Sequence, residues 1–218
     1  MKTIDRIAYL FLIIVFGIGL YFGFTDVAYF DTVITVEDGP VEYGTAIALL
    51  TVSLLCFYRL IKLWRFNAVM WRIGLLAFAL LFFFGAGEEI SWGQRIFNID
   101  PGNFFRENNA QGETNLHNLV VGGKKVNKIV FSQLLMIVMV LYLLIAPVLY
   151  RKINRVKALA DSFAIPVVKW HHTIAFLCVT ALVVILPSER KWELYELAFG
   201  ILFFLIFLYP LNHIIYKK

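Results

Sequence analysis

Six apolar runs, each about as long as a bilayer core is thick, dominate this chain: about 7–24, 41–58, 73–96, 129–150, 167–187 and 192–216. A helix crossing ~30 Å of hydrocarbon needs ~20 residues. Lipid cannot satisfy free amides and carbonyls, so such runs must be helical. The expectation is an all-α, polytopic membrane helix bundle of about six transmembrane helices, forming one integral domain over 1–218. With 61% of residues hydrophobic and 16% charged, the chain carries more apolar surface than a soluble domain of this size covers. The first run follows Lys2 and Arg6. It is long and lacks a small-x-small cleavage site, which reads as an uncleaved span rather than a signal peptide. Cys56 and Cys178 fall inside apolar runs and lack disulfide or metal-type spacing.

An even number of spans puts both termini on one side. With the N-terminus inside, the inner segments hold 13 of the 20 Lys and Arg, and the outer segments hold 7. Positive charge accumulates on cytoplasmic loops, so both termini are expected in the cytoplasm. The acids run the other way, with 13 of 15 outside. Acids guide insertion weakly, so topology does not account for them. The short basic inner loops suit orientation and contact with anionic lipid. Basic residues confined to such loops argue against nucleic acid as a partner. The longest connection, 97–128, is outer. It carries the turn signal Asp100-Pro101-Gly102 and then Phe104 and Phe105, which are placed to dip into the membrane interface.

The strongest chemical signal is Gly85-Ala86-Gly87-Glu88-Glu89-Ile90-Ser91-Trp92-Gly93-Gln94-Arg95. Counted from Arg72 at ~1.5 Å per residue, Gly87 lies about 22 Å up the helix. Glu88 and Glu89 then sit in the outer part of the hydrocarbon, where carboxylates are costly and usually functional. Continued helix would put Glu88, Ser91 and Arg95 on one face, with Arg95 able to neutralise Glu88. The plain alternative is a buried ion pair that fixes helix packing.

The second signal is Gln111-Gly112-Glu113-Thr114-Asn115-Leu116-His117-Asn118. In a helix, Glu113 and His117 would share a face, as a base with its orienting partner or as metal ligands. The alternative is a helix cap, from Thr114 or Asn115, with a solvated turn. Glu189, Glu193 and Glu196 form an acidic stripe at the outer end of the last run, and Glu37, Asp38 and Glu42 flank the second; interfacial solvation is the alternative for both. Four chain regions thus bring acids to one depth and one face. Too many carboxylates for the local cations must protonate, bind metal or hold water. His171-His172 and His213 read as interfacial anchors at the opposite end.

The stretches Glu37-Asp38-Gly39, Glu88 to Arg95 and Gln111 to Asn118 resemble the signature of an uncharacterised bacterial multi-pass membrane protein family, over about residues 37–120. The resemblance implies a bacterial inner-membrane protein. A weaker likeness is to membrane-embedded CAAX-type proteases, which place a Glu-Glu pair and a downstream Arg on one helix and histidines on later ones. Here Arg95 lies two residues further along, and the later histidines fall mostly at the other face. Alkaline-ceramidase-like hydrolases hold zinc with three histidines, and only His117 is available on the outer side.

The leading expectation is a hydrolase or transferase acting on a lipid or lipid-linked substrate at the outer leaflet. Glu88, Glu89, His117 and Glu113 are the candidate catalytic residues. Arg95, Trp92, Gln94, Asn115 and Glu196 would bind substrate, Arg95 by holding an anionic headgroup. Glu88, Glu89 and His117 are candidate ligands of a divalent metal. The rival class is non-catalytic: a membrane subunit with other membrane partners or copies of itself, or a transporter or ion pathway. Transport expects polar residues through the full depth, and the inner halves of the runs are almost wholly apolar.

Overall fold

The structure, a computed structural model, describes residues 1–121, 124–125 and 135–217. The helices are α1 (Thr3–Thr25), α2 (Val27–Tyr29), α3 (Pro40–Leu63), α4 (Val69–Glu89), α5 (Asn103–Asn108), α6 (Leu135–Val140), α7 (Ala146–Lys152), α8 (Asn154–Ser162), α9 (Trp170–Ile185) and α10 (Lys191–Leu208). A π-helical turn, Leu141–Ile145, joins α6 to α7. Val120–Val121 and Lys124–Lys125 pair as a minimal antiparallel ladder. The architecture is helical, as expected. Thr3–Thr25, Pro40–Phe66 and Val69–Glu89 are long and apolar enough to cross a membrane. Met136–Lys152 together with α8, which turns away from it by 118°, makes a fourth candidate. The start of the expected run 129–150 lies outside the described residues.

The observed ends have local causes. Pro40 opens α3, where its missing amide costs nothing. Glu42 reaches back to the Asp38 amide at 2.6 Å, satisfying a free donor at the helix start. Pro187 and Pro210 follow α9 and α10, and the residue before a proline resists helical geometry. The last two helices are therefore shorter than their apolar runs: α9 has 16 residues and α10 has 18.

α3, α4 and α10 form the centre. Ser53 on α3 donates to the Ala79 carbonyl on α4 at 2.8 Å. Gly200 lets α10 approach α3 so closely that a Cβ there would sit 3.0 Å from Ala48. Phe78, Phe82, Phe203 and Phe207 stack edge to face between α4 and α10. Gly19 and Gly23 of α1 leave room for Leu194 and Leu186, the close-packing role that small residues take between membrane helices.

Polar contacts gather at two poles. At one, Asp31 meets Ser188, Arg190 reaches the Thr35 carbonyl, and Gln111 bonds Glu37. At the other, Tyr9 bonds His171, Arg59 reaches the Phe207 carbonyl, and Asn212 joins Asp161. His172 departs from the expected interfacial anchor: it is 0% exposed, because the first turn of α9 packs into the bundle with Thr173 bonded to the Leu143 carbonyl.

Candidate functional site

The expected run 73–96 is not one helix. α4 stops at Glu89, because Ser91, Trp92 and Gly93 take left-handed φ values of 46°, 55° and 76°. The chain folds back there, and Trp92 Nε1 donates to Glu88 Oε1 at 2.9 Å. Gly87 makes the reversal possible, since a Cβ at that position would lie 2.8 Å from the indole. A left-handed non-glycine pair is costly and persists only where surrounding contacts over-determine it.

Those contacts come from the second motif. Glu88 Oε2 accepts the amides of Leu116 at 2.6 Å and His117 at 3.1 Å. Ser91 Oγ donates to Glu113 Oε2 at 2.6 Å, and Asn115 Nδ2 donates to both Ser91 Oγ and Glu113 Oε2 at 2.9 Å. Gln94 Oε1 accepts the Thr114 amide at 2.7 Å. Asn109 holds the loop from within, donating to Asn115 and accepting the amides of Gln111 and Glu113. Glu88, Ser91, Glu113 and Asn115 are all buried. Buried polar groups need partners, and in this clamp they supply one another.

Several expected contacts are therefore corrected. Glu113 and His117 do not share a helical face; the segment is a turn-rich loop and Glu113 is bound to Ser91. Thr114 and Asn115 do not cap a helix. Arg95 is not paired with Glu88; it is ion-paired to Asp38 and Glu113. Glu88 accepts two amides and an indole, which ties it to the loop. The described residues contain no group of three or more His, Cys, Asp or Glu side chains that could hold a metal ion.

What remains is a different set. Glu89 of α4 feels the charges of His117, Glu193 and Glu42, and Glu196 of α10 feels those of Glu89, Glu193 and Glu42. Four carboxylates from α3, α4 and α10 thus converge at the acidic pole. Glu42, Glu89 and Glu193 are half-buried and Glu196 is exposed. Glu42 bonds the Asp38 amide, and Glu193 lies 3.7 Å from Arg190. Among the described residues Glu89 and Glu196 make no hydrogen bond. Glu189 lies ahead of α10.

His117 sits at the edge of the cluster. Its Nδ1 is 3.8 Å from Glu88 Oε2, and its Nε2 is 3.1 Å from the Asn118 amide nitrogen. Asn118 in turn donates to Gln111. A surface hollow of about 600 Å³ between Ile61, Lys62, Trp64, Arg65 and Phe66 lies elsewhere and touches none of these residues.

Sequence spacing paired Glu88 with Glu89 and could not separate them. It placed Glu42 at the same depth but did not single it out as one of the charges acting on Glu89. Its placement in the first turn of its helix, like Glu193 in α10, was the available signal.

Fold and site together define a helical protein with membrane-length apolar helices and an acidic cluster at one pole. Comparison with family models, with curated proteins and with solved structures gives no match to the chain.

Proposed function

We propose that this chain is a bacterial inner-membrane protein that crosses six times, keeps both termini in the cytoplasm, and performs acid–base chemistry on a lipid or lipid-linked substrate at its acidic pole. The reaction class is hydrolysis or group transfer. The observation that carries the reading is the mutual electrostatic influence of Glu42, Glu89, Glu193 and Glu196, with His117 acting on Glu89 and Glu193. Glu89 carries the proton, His117 assists as its neighbour, and Glu88 positions His117 through that residue's backbone and ring.

The electrostatics favour a particular substrate class. Arg95 is ion-paired twice, Arg190 binds the Thr35 carbonyl and faces Glu37 and Glu193, and Lys191 binds the Leu186 carbonyl. Arg95, Arg190 and Lys191 are thus occupied, while the four carboxylates repel one another. A headgroup bearing an amine relieves that repulsion; an anionic one adds to it. The excess of Lys and Arg in the opposite segments supports the orientation, with the acidic pole outside.

The test is reconstitution in vesicles of amine-bearing, neutral and anionic phospholipids, with mass-spectrometric analysis of headgroup products. Wild type yields product from the amine-bearing class, and Glu89→Gln lowers the rate by about 10²-fold or more, the usual scale for a lost general acid or base. His117→Asn lowers it less. Equal inertness of wild type and both variants on every lipid, with and without added divalent metal, rejects catalysis.

A further inference from the structure

The chain from Trp92 to Phe104 has two unlike sides. Its polar atoms turn into the protein: Trp92 Nε1 to Glu88, Gln94 Oε1 to the Thr114 amide, and Arg95 to Asp38 and Glu113. Its large apolar side chains turn out. Trp92 is 43% exposed, Ile96 55%, Phe97 72%, Ile99 57% and Phe104 56%. The segment's only charged residues are Arg95, already paired, and Asp100. Soluble loops do not gather five large apolar residues on one surface without a partner.

The backbone holds this display in place. Phe97 and Ile99 donate to the carbonyls of Gly93 and Gln94, each at 2.9 Å, closing a compact turn. The Phe97 ring lies over Gly93, where a Cβ would sit 2.9 Å from it. Asn98 takes a left-handed φ of 51° to complete the reversal.

We infer that residues 92–104 form an interfacial anchor seated at the headgroup–acyl boundary of the bilayer leaflet at the acidic pole. Continuity identifies the occupant. Trp92 packs beside Phe83, with ring centroids 6.2 Å apart. Phe83, Leu81 and Leu80 are 49%, 59% and 52% exposed on α4, the face a crossing helix presents to acyl chains. The 21 residues of α4 reach about 31 Å at ~1.5 Å each, close to the ~30 Å hydrocarbon thickness. The loop therefore leaves the helix near the membrane boundary, where tryptophan and other aromatic residues concentrate. The same segment pins Glu113 and Thr114 from its inner side, so the bilayer supports the clamp that carries His117. This inference rests on α4 crossing the membrane and is independent of whether the acidic cluster is catalytic.

The experiment places nitroxide labels, one at a time, at Phe97→Cys, Leu81→Cys and Glu107→Cys in a Cys56→Ala, Cys178→Ala background. The proteins are reconstituted in phosphatidylcholine–phosphatidylglycerol vesicles. Collision rates with oxygen, which partitions into lipid, and with a water-soluble nickel chelate report depth. The labels at Leu81 and Phe97 are expected to favour oxygen several-fold over the label at Glu107, with Phe97 the shallower of the two. A Phe97 label as open to nickel as the one at Glu107, with Leu81 still in lipid, overturns the anchor alone. A Leu81 label in water overturns the crossing of α4 and the anchor with it. Brominated-lipid quenching, compared between wild type and Trp92→Phe, gives a second reading without labels: Trp92 emission is quenched most by bromines near the headgroup, and no difference between the two proteins contradicts the anchor.

Discussion

The two poles manage charge by different means. At the pole holding Arg59, Arg72 and Arg151, these cations lie against carbonyls and rings, although the buried Arg72 Nε has no hydrogen-bond partner among the described residues. Arg59 donates to Phe207 and Leu208 at 2.5 and 3.0 Å and lies 4.5 Å from the Tyr216 ring. Arg151 donates to Pro147 and Val168 and lies 4.3 Å from the Trp170 ring. Arg72 lies over Trp64. Among the described residues, every ion pair falls at the other pole instead. There the pairs leave carboxylates over. Arginines that close helix ends through carbonyls do a structural job, as cations at helix C-termini do generally. Carboxylates left without cations store repulsion, and repulsion retained in a fold points to use.

The sharpest way to break this comparison uses two adjacent residues. Glu88→Ala removes the acceptor for two amides and an indole. A buried donor left unpaired costs about 1–3 kcal/mol, so the loss should reach about 3 kcal/mol. It should appear as a lower unfolding midpoint in detergent and as proteolytic cutting within 109–118. Glu89→Gln, one residue along, alters a carboxyl that makes no hydrogen bond among the described residues and should move stability by less than about 0.5 kcal/mol. If Glu89→Gln destabilises as much as Glu88→Ala, Glu89 belongs to the clamp and the acidic cluster loses its proposed centre.

That division was out of reach of spacing arguments, for a physical reason. Apolar run length is a one-dimensional property, so α1, α3 and α4 were legible in the sequence. Helix ends inside apolar runs were not, because Ser91 and Trp92 take left-handed geometry only when Glu88, Gly87 and the 109–118 loop are all in place. Both polar motifs were found, and their convergence was expected. Their division into a clamp and an acidic cluster depends on which carboxylate turns toward the loop, and two neighbouring glutamates look alike on paper. Arg95 misled for the same reason: its partner Asp38 is 57 residues away, beyond any local periodicity. His172 shows the converse case. A Lys-Trp-His-His run has the composition of an interfacial belt, yet tertiary packing buries one of its rings.

The opposite pole offers the next test. Arg59→Leu removes two charge-assisted bonds to the end of α10, each worth about 1.5–3 kcal/mol, while relieving the cost of a desolvated cation. A net loss of about 2 kcal/mol is expected in thermal unfolding, with the headgroup chemistry of the other pole unchanged once the protein is folded. Loss of activity without loss of stability would mean that the two poles are coupled and that their roles are not separable in this way.

The smallest expected effect concerns His172. Its ring is fully buried and neither nitrogen has a partner among the described residues. The His171 ring packs against it at 4.2 Å between centroids. A buried imidazole with both nitrogens unpaired is a net cost, and leucine fills a similar volume with better helix propensity. His172→Leu should therefore stabilise the protein by about 1 kcal/mol, read as a higher unfolding midpoint, while His171→Leu, which breaks the bond to Tyr9, should not. If His172→Leu instead lowers the midpoint, the imidazole has a polar partner such as bound water, and this pole is not purely a matter of capped helix ends.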